Sequence, residues 1–353
     1  MILFPRGGCG TNGDIYLYRR RGGADSFLPM KRIITLTMNP TIDVAYETDR
    51  VFHTRKMRTQ HEHYDPGGGG INVARVIARL GGTARAYYLS GGATGCALDG
   101  LLDKHALVRF RIPIAGDTRI STSLYEKDTG KEYRVVPRGP EVTAEEWQAA
   151  LHHLDGTQAD YLVVSGSLPP GVPEDFYCRV CELGQRHGMR IVLDSSGEAL
   201  RAAVRGGGLY LIKPSIGELR QLTGKALAEE SAIAEAAREI VDSGKAEQVA
   251  VTMGHDGALL ASRSGTWRLP AIPVEAKSAV GAGDSFLAAM VFALGCEQDP
   301  LEAFRLGIAA GTAAVLTPGT DLCHREEVER LLALVPELGD PQFMEKEQAH
   351  ESQ

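Results

Sequence analysis

LYLIKPS (209–215), ALAEESAIAEAAREIVDSG (226–244) and QVAVTMG (248–254) follow one another in the chain and read as strand, helix, strand. The first and third are short, almost wholly apolar runs. A strand apolar on both faces is covered on both faces, which is the pattern of a parallel sheet between helix layers. The middle stretch spaces its apolar residues for one face of a helix. The rhythm extends outward: IITLTM (33–38), YLVVSGS (161–167) and RIVLDSS (190–196) are further strands, and INVARVIARLGG (71–82) and DSFLAAMVFALG (284–295) further helices. The expected fold is α/β, with three layers in the order α/β/α.

Two stretches break that rhythm. Residues 42–64 and 117–136 alternate polar and apolar side chains, and the second contains Asp128-Thr129-Gly130, a hairpin turn. They predict a small half-polar sheet, inserted twice, that acts as a lid. It would cover the C-terminal ends of the strands, where open α/β sheets bind ligands.

With 353 residues, 43% of them hydrophobic, the chain can bury one large core, assigned here to residues 30–340. Its net charge of −7 lacks the basic excess that nucleic-acid binding requires. No apolar run of about 18 residues is present, so no membrane span is expected. Residues 1–29 are rich in Gly and Arg and lack the apolar segment of a signal peptide. They are expected to be a disordered or artefactual leader before Met30, and residues 341–353 a polar tail. Cys9, Cys96, Cys178, Cys181, Cys296 and Cys323 show no framework spacing, which suits reduced thiols and a cytoplasmic location. Cys178 and Cys181 form a lone CxxC without a second pair or a His partner, and are read as inert.

The sharpest chemical signal is Ala279-Val280-Gly281-Ala282-Gly283-Asp284-Ser285-Phe286, a glycine-rich turn opening directly into a helix. Glycines let the backbone approach an anion, and the unsatisfied N–H groups of the helix start point at it with the favourable end of the macrodipole behind them. Such donors suit the charge that spreads over the oxygens of a phosphoryl group in transfer. Asp284 at that helix start could cap the helix or accept a proton from an attacking hydroxyl. A second cluster, Asp65-Pro66-Gly67-Gly68-Gly69-Gly70-Ile71-Asn72, also opens a helix. It is either a flexible loop or a backbone built for close approach, with Asn72 offering both donor and acceptor. Neither cluster is GxxxxGK[ST] or GxGxxG, so the P-loop and dinucleotide fingerprints are absent.

PGGGGINVAR (66–75), SGSLPPG (165–171), SSGEAL (195–200) and VGAGDS (280–285) together resemble the PfkB, or ribokinase-like, carbohydrate kinases, over about Arg32 to His324. Within that family the similarity is greatest to the bacterial type 2 6-phosphofructokinases. The resemblance implies a ribokinase-like sandwich with a β lid and transfer of the γ-phosphate of ATP to the 1-hydroxyl of fructose 6-phosphate, in glycolysis. Asp284 becomes the base, with Gly281, Ala282 and Gly283 as the anion hole. Asp43, Gly68, Gly69 and Asn72 would contact sugar hydroxyls, while Lys56, Arg58, Arg119 and Ser167 lie at substrate-binding positions. Lys213, Ser215, Thr252, Gly254, Gly257 and Thr312 match the ATP side, with Ser215 in place of the usual Asn. Glu218 would reach Mg²⁺ through water. Ser278, Val280, Ala314, Thr317 and Gly319 match the ligands of a monovalent cation, K⁺, although Thr317 replaces an Asn and Asp321 nearby an Arg. The family also implies a homodimer joined through its lids. Kinases of fructose 1-phosphate or tagatose 6-phosphate share most of these motifs but commonly carry Lys where this chain has Gly69. A sugar-binding protein without catalysis is the alternative of another class, and the intact Asp284 argues against it.

Overall fold

The computed structural model describes residues 30–342 and, ahead of them, two short strands, β1 (Leu17–Arg19) and β2 (Phe27–Pro29), paired antiparallel. The rest of the expected leader, Cys9 within it, and residues 343–353 of the expected tail lie outside the described residues. From Met30 the chain runs through β3 (Ile33–Thr37), β4 (Thr41–Thr48), β5 (Gln60–Gly67), α1 (Gly69–Arg79), β6 (Ala84–Gly91), α2 (Gly92–Leu102) and β7 (Val108–Ile114). Next come β8 (Arg119–Glu126), β9 (Lys131–Val135), α3 (Ala144–Asp155), β10 (Tyr161–Ser165), α4 (Phe176–Arg186), β11 (Arg190–Asp194), α5 (Gly197–Gly206) and β12 (Leu209–Ile212). The last third holds α6 (Ile216–Thr223), α7 (Glu230–Asp242), β13 (Ala246–Thr252), β14 (Ala258–Ser262), β15 (Gly265–Leu269), α8 (Ala282–Gly295), α9 (Pro300–Val315) and α10 (Arg325–Leu332).

Nine of these strands form one sheet in the order β15-β14-β13-β12-β11-β10-β3-β6-β7. All neighbours pair in parallel except β14 with β13 and with β15. Every residue of β3, β10 and β12 is buried, as their unbroken apolar runs require. One face packs against α3 to α7 through side chains such as Trp147, Phe176, Leu200, Leu219 and Ile233. The other packs against α1, α8, α9 and α10 through Val73, Phe286, Phe304 and Val328. The three-layer sandwich expected from the sequence is thus the observed one. The sequence does not announce β6, β7, β14 and β15. β7 (VRFRIPI) mixes arginines into its apolar run because it is an edge strand, and β14 and β15 are a short hairpin appended to the opposite edge.

Residues 42–64 and 117–136 do form one separate sheet, in the order β5-β4-β8-β9. The two excursions meet where β4 lies parallel to β8, from Thr41 beside Arg119 to Thr48 beside Glu126. Ile42 and Val44 of β4 join Ile71, Tyr88, Leu98 and Leu102 in a small third core. That cluster fastens the base of the lid to α1 and α2, while the outer strand β9 is exposed along its whole length.

Each of the four glycines that precede Ile71 sits too close to a neighbour for a Cβ. A Cβ on Gly70 would lie 2.6 Å from Thr37 Oγ1 and 2.7 Å from the Leu36 carbonyl oxygen, closer than real Cβ atoms come. The start of α1 is therefore seated directly on β3. Gly70→Ala should push α1 off β3 and destabilise the protein by about 1–3 kcal/mol, read as a lower urea midpoint. An unchanged midpoint would show that the seat is loose.

Candidate active site

Asp284 lies in the first turn of α8, whose N-cap is Gly281 at φ 74°, a left-handed conformation that glycine adopts without strain. Of the two roles open to Asp284, the cap is not used: α8 has no side-chain capping bond. Its carboxylate instead accepts a hydrogen bond of 2.8 Å from Asn72 Nδ2, in the first turn of α1. The two glycine-rich segments, separated by 212 positions in the chain, meet at that bond. Burial pushes the Asp284 carboxyl up to about 7; the charges of Asp194 and Asp43 add to the rise, while Asn72 and Lys213 oppose it. A carboxyl so tuned can take up a proton near neutral pH.

Lys213 follows β12, and its Nζ lies 3.2 Å from Oδ1 of Asp194 at the end of β11, both side chains largely buried. Burial works to discharge Lys213, but Asp194, Asp284 and Glu218 together overrule it and hold the ammonium charged. A Cβ placed on Gly283 would come within 3.2 Å of that Nζ. The ammonium thus stands beside the glycine turn where α8 presents its free N–H groups, a pairing of positive charge and donors that suits an anion. Asp194 was not among the residues picked from the sequence. Its signal was there: RIVLDSS ends an apolar strand on a carboxylate at the edge of the sheet where ligands bind.

The lid supplies the facing wall. Asp43 on β4 is pushed up to about 6, by burial first, with Arg119, Arg134 and Arg75 pulling back and Asp65 adding to the rise. Arg119 donates to the carbonyls of Asn39 (2.8 Å) and Pro137 (3.0 Å). Asn39 in turn donates through Nδ2 to the Arg138 carbonyl (2.8 Å) and to Ser167 Oγ (3.3 Å). Arg119 and Ser167 are thereby gathered around Asn39. Neither Asn39 nor Arg134 was singled out in the sequence, Arg134 because one cation in an alternating exposed strand looks like a solvated charge. Lys56 and Arg58 are placed differently: both lie exposed in the segment joining β4 to β5, and neither is among the cations acting on Asp43. Gly68, at φ 108°, is the N-cap of α1, and a Cβ on Gly69 would collide with Ser165 Oγ.

Ser215 is the N-cap of α6 in a capping box. Its Oγ accepts from the Glu218 N–H (3.2 Å), and Glu218 Oε2 accepts from the Ser215 N–H (2.7 Å) and hydroxyl (2.9 Å). The hydroxyl that replaces the usual Asn therefore acts on its own helix, and Ser-x-x-Glu is the sequence signature of that motif. Thr252 bridges to Ser215 at the end of β13, Gly254 and Gly257 bracket a single helical turn, and Thr312 is buried on α9. Thr317 Oγ1 sits 2.7 Å from the Ala314 carbonyl oxygen and 2.9 Å from that of Asp321. Ser278 and Val280 lead into Gly281, and Val280 N–H donates to Ser278 Oγ at 3.2 Å. The Asp321 carboxylate pairs with Arg79 (2.7 Å) and His324 (2.8 Å); although burial opposes them, these bonds hold its carboxyl down at about 2.

A buried, uncapping Asp beside an anion site and under a polar lid is a phosphotransfer arrangement, and the family model that matches residues 33–327 is that of the pfkB family carbohydrate kinases. The chain belongs to that family. Among its relatives, the ATP-dependent 6-phosphofructokinase isozyme 2 of Mycobacterium tuberculosis is 45% identical over 89% of this chain and 93% of its own length. The crystal structure of phosphofructokinase-2 from Escherichia coli in complex with fructose-6-phosphate superposes with a TM-score of 0.82, at 37% identity over 87% of this chain and 99% of that one. The potassium complex of the same E. coli enzyme gives a TM-score of 0.83 at 38% identity, covering 86% and 99%. Among the described residues, no helix is long and apolar enough to cross a membrane.

The charge on Asp284 sets a pH dependence. Because the folded-state value is raised from 3.8 to about 7, ionising this group destabilises the fold as pH rises between those values, while the base form accumulates only above about 7. With Asp284 acting as the base, the acidic limb of kcat/KM is expected near pH 7. Asn72→Ala, which removes a bond that favours the carboxylate, should move that limb upward. A limb that stays in place in the variant would detach Asn72 from the tuning of the base.

Proposed function

We propose that this kinase transfers the γ-phosphate of ATP to the 1-hydroxyl of fructose 6-phosphate, giving fructose 1,6-bisphosphate and ADP, in the glycolytic direction and in the cytoplasm. The observation that carries this reading is the Asn72–Asp284 contact beside the Gly281–Gly283 turn and the charged Lys213. Asp284 takes the proton from the 1-hydroxyl as its oxygen bonds to the γ-phosphorus and the bond from that phosphorus to the ADP oxygen breaks. The amides at the start of α8 receive the spreading charge, with Gly281, Ala282 and Gly283 forming the hole. Asn72 Oδ1 is buried and has no hydrogen-bond partner among the described residues, so it can accept from a sugar hydroxyl beside Asp43. Arg119 and Ser167 supply contacts to the 6-phosphate at the lid hinge. Exposed Lys56 and Arg58 are free to act across a lid-to-lid dimer.

Hard oxygen donors suit Mg²⁺: Asp194 and Glu218 lie beside the charged Lys213, and Glu218 spends only Oε2 on its capping box. When bound with ATP, the metal would neutralise charge on the β- and γ-phosphates, held by Glu218 and Asp194 through water. Lys213, Ser215, Thr252, Gly254, Gly257 and Thr312 line the ATP side. K⁺ would be held by carbonyls of Ser278, Val280, Ala314, Thr317 and Gly319. The sugar preference rests on Gly69, where Ser165 leaves no room for the Lys common in kinases of fructose 1-phosphate and tagatose 6-phosphate. In a coupled assay across those three substrates, fructose 6-phosphate should have the highest kcat/KM, and a higher value for either rival would overturn the assignment. Asp284→Asn should keep the fold and ATP binding while lowering kcat by at least about 10²-fold. Near-normal turnover would remove Asp284 from the mechanism.

The lid carries the argument for a homodimer. Tyr64, Ile120, Tyr125, Tyr133 and Val135 are all exposed on three of its strands, β5, β8 and β9, an apolar surface and open edge that a second lid would cover. Val135→Glu should dissociate the dimer and lower activity together, since the closing lid loses its support. Sedimentation of a fully active wild-type monomer at assay concentration would rule this out.

A further inference from the structure

Asp65 belongs to the lid strand β5, yet its carboxylate is buried in the body of the protein, 7% exposed. Oδ1 accepts from Arg75 Nη2 at 2.9 Å, and Arg75, itself 1% exposed, also donates through Nη1 to the Pro66 carbonyl at 2.8 Å. Oδ2 accepts from Thr320 Oγ1 at 2.7 Å and lies 3.0 Å from His63 Nε2, a neighbour on the same strand. Each of the two buried partners leads to the chemistry. Arg75 is one turn beyond Asn72 on α1, the helix whose Asn72 donates to Asp284 of α8. Thr320 belongs to the loop after α9. Two residues further on, Leu322 packs under the turn so closely that a Cβ on Gly281 would be 2.5 Å from its Cδ2. Arg79, the next turn of α1, fixes that loop through the Leu322 carbonyl (2.6 Å) and the Asp321 carboxylate (2.7 Å).

We propose that Asp65 and Thr320 are positioning residues that couple the lid to the anion hole, so that the sugar-side wall and the phosphate-side turn adopt their working positions together. The inference rests on the kinase reading above. The Arg75–Asp65 pair alone would explain a buried charge that needs a partner. It does not explain why the second oxygen reaches from the lid across to the loop beneath Gly281, and that bond has a mechanical consequence. Movement of β5 pulls on the loop under the N-cap of α8. A preorganised hole loses transition-state stabilisation when its support shifts even slightly, whereas ground-state binding of ATP on the far side is spared.

Thr320→Val removes the hydroxyl, keeps the shape and leaves the Arg75–Asp65 pair intact. At saturating ATP, Mg²⁺ and K⁺, it should lower kcat about tenfold and raise the KM for fructose 6-phosphate, leave the KM for ATP and the melting temperature near those of the wild type, and speed amide hydrogen exchange in residues 60–67. Thr320→Ser, which restores the donor, should restore kcat. Unchanged kcat in Thr320→Val, loss of its folded state, a defect that Ser does not rescue, or unaltered exchange in β5 each overturns the coupling. Should the wild-type protein fail to phosphorylate fructose 6-phosphate, the kinase reading falls, while exchange in β5 still decides whether the latch exists.

Discussion

A carboxylate buried at the start of a helix is costly, and the arrangement around Asp284 follows from what makes that cost tolerable. Desolvation alone would keep the group protonated. One hydrogen bond from Asn72 and the field of Lys213 bring it back to about 7, where it can exchange a proton under physiological conditions. Those two compensations come from a helix, α1, and from the end of a strand, β12, so α1, α8 and β12 must all be held in register. The Gly70 seat on β3, the N-caps at Gly68 and Gly281 and the buried Lys213–Asp194 pair hold them there.

The same economy of charge shapes the lid. Asp43 is balanced by Arg119, Arg134 and Arg75, and Asp65 by Arg75. Four lid strands carry little apolar core of their own, only the contacts of Ile42 and Val44 with α1 and α2. A single-layered lid of this kind relies on polar attachments at its base, and its outer strand β9 is exposed along its whole length. The phosphate side, by contrast, is set into a densely packed corner of α8 and α9, where nearly every side chain of α8 after its first turn is buried.

Capping chemistry shows how one substitution can leave an architecture intact. Where the family usually places Asn, Ser215 closes a reciprocal box with Glu218 and keeps α6 and its acidic residue fixed. Thr317, in place of another Asn, satisfies loop carbonyls with its hydroxyl, and Asp321, in place of Arg, recruits Arg79 and His324. Ser215 and Thr317 work on nearby backbone, whereas Asp321 ties its loop to Arg79 on α1, far away in the chain.

The sequence by itself determined the sandwich and the lid. Uniformly apolar strands must be covered on both faces, and alternating ones cannot be, so the parallel core and the two excursions were legible from patterning. The glycine clusters marked both helix starts, because such runs are costly unless backbone must approach something closely. The edge strand β7 escaped, since its outer side is solvated and its pattern blurs, and the β14–β15 hairpin escaped because its strands are short runs mixed with small and polar residues. What only the tertiary structure decided was which partner each charge found. Asp284 as cap or base, Asp194 beside Lys213, Asp65 reaching Thr320 and Lys56 left in solvent are outcomes of contacts between residues far apart in the chain. A side chain's type states what it can bond, but burial and the neighbour that folding brings to it decide which bond is made.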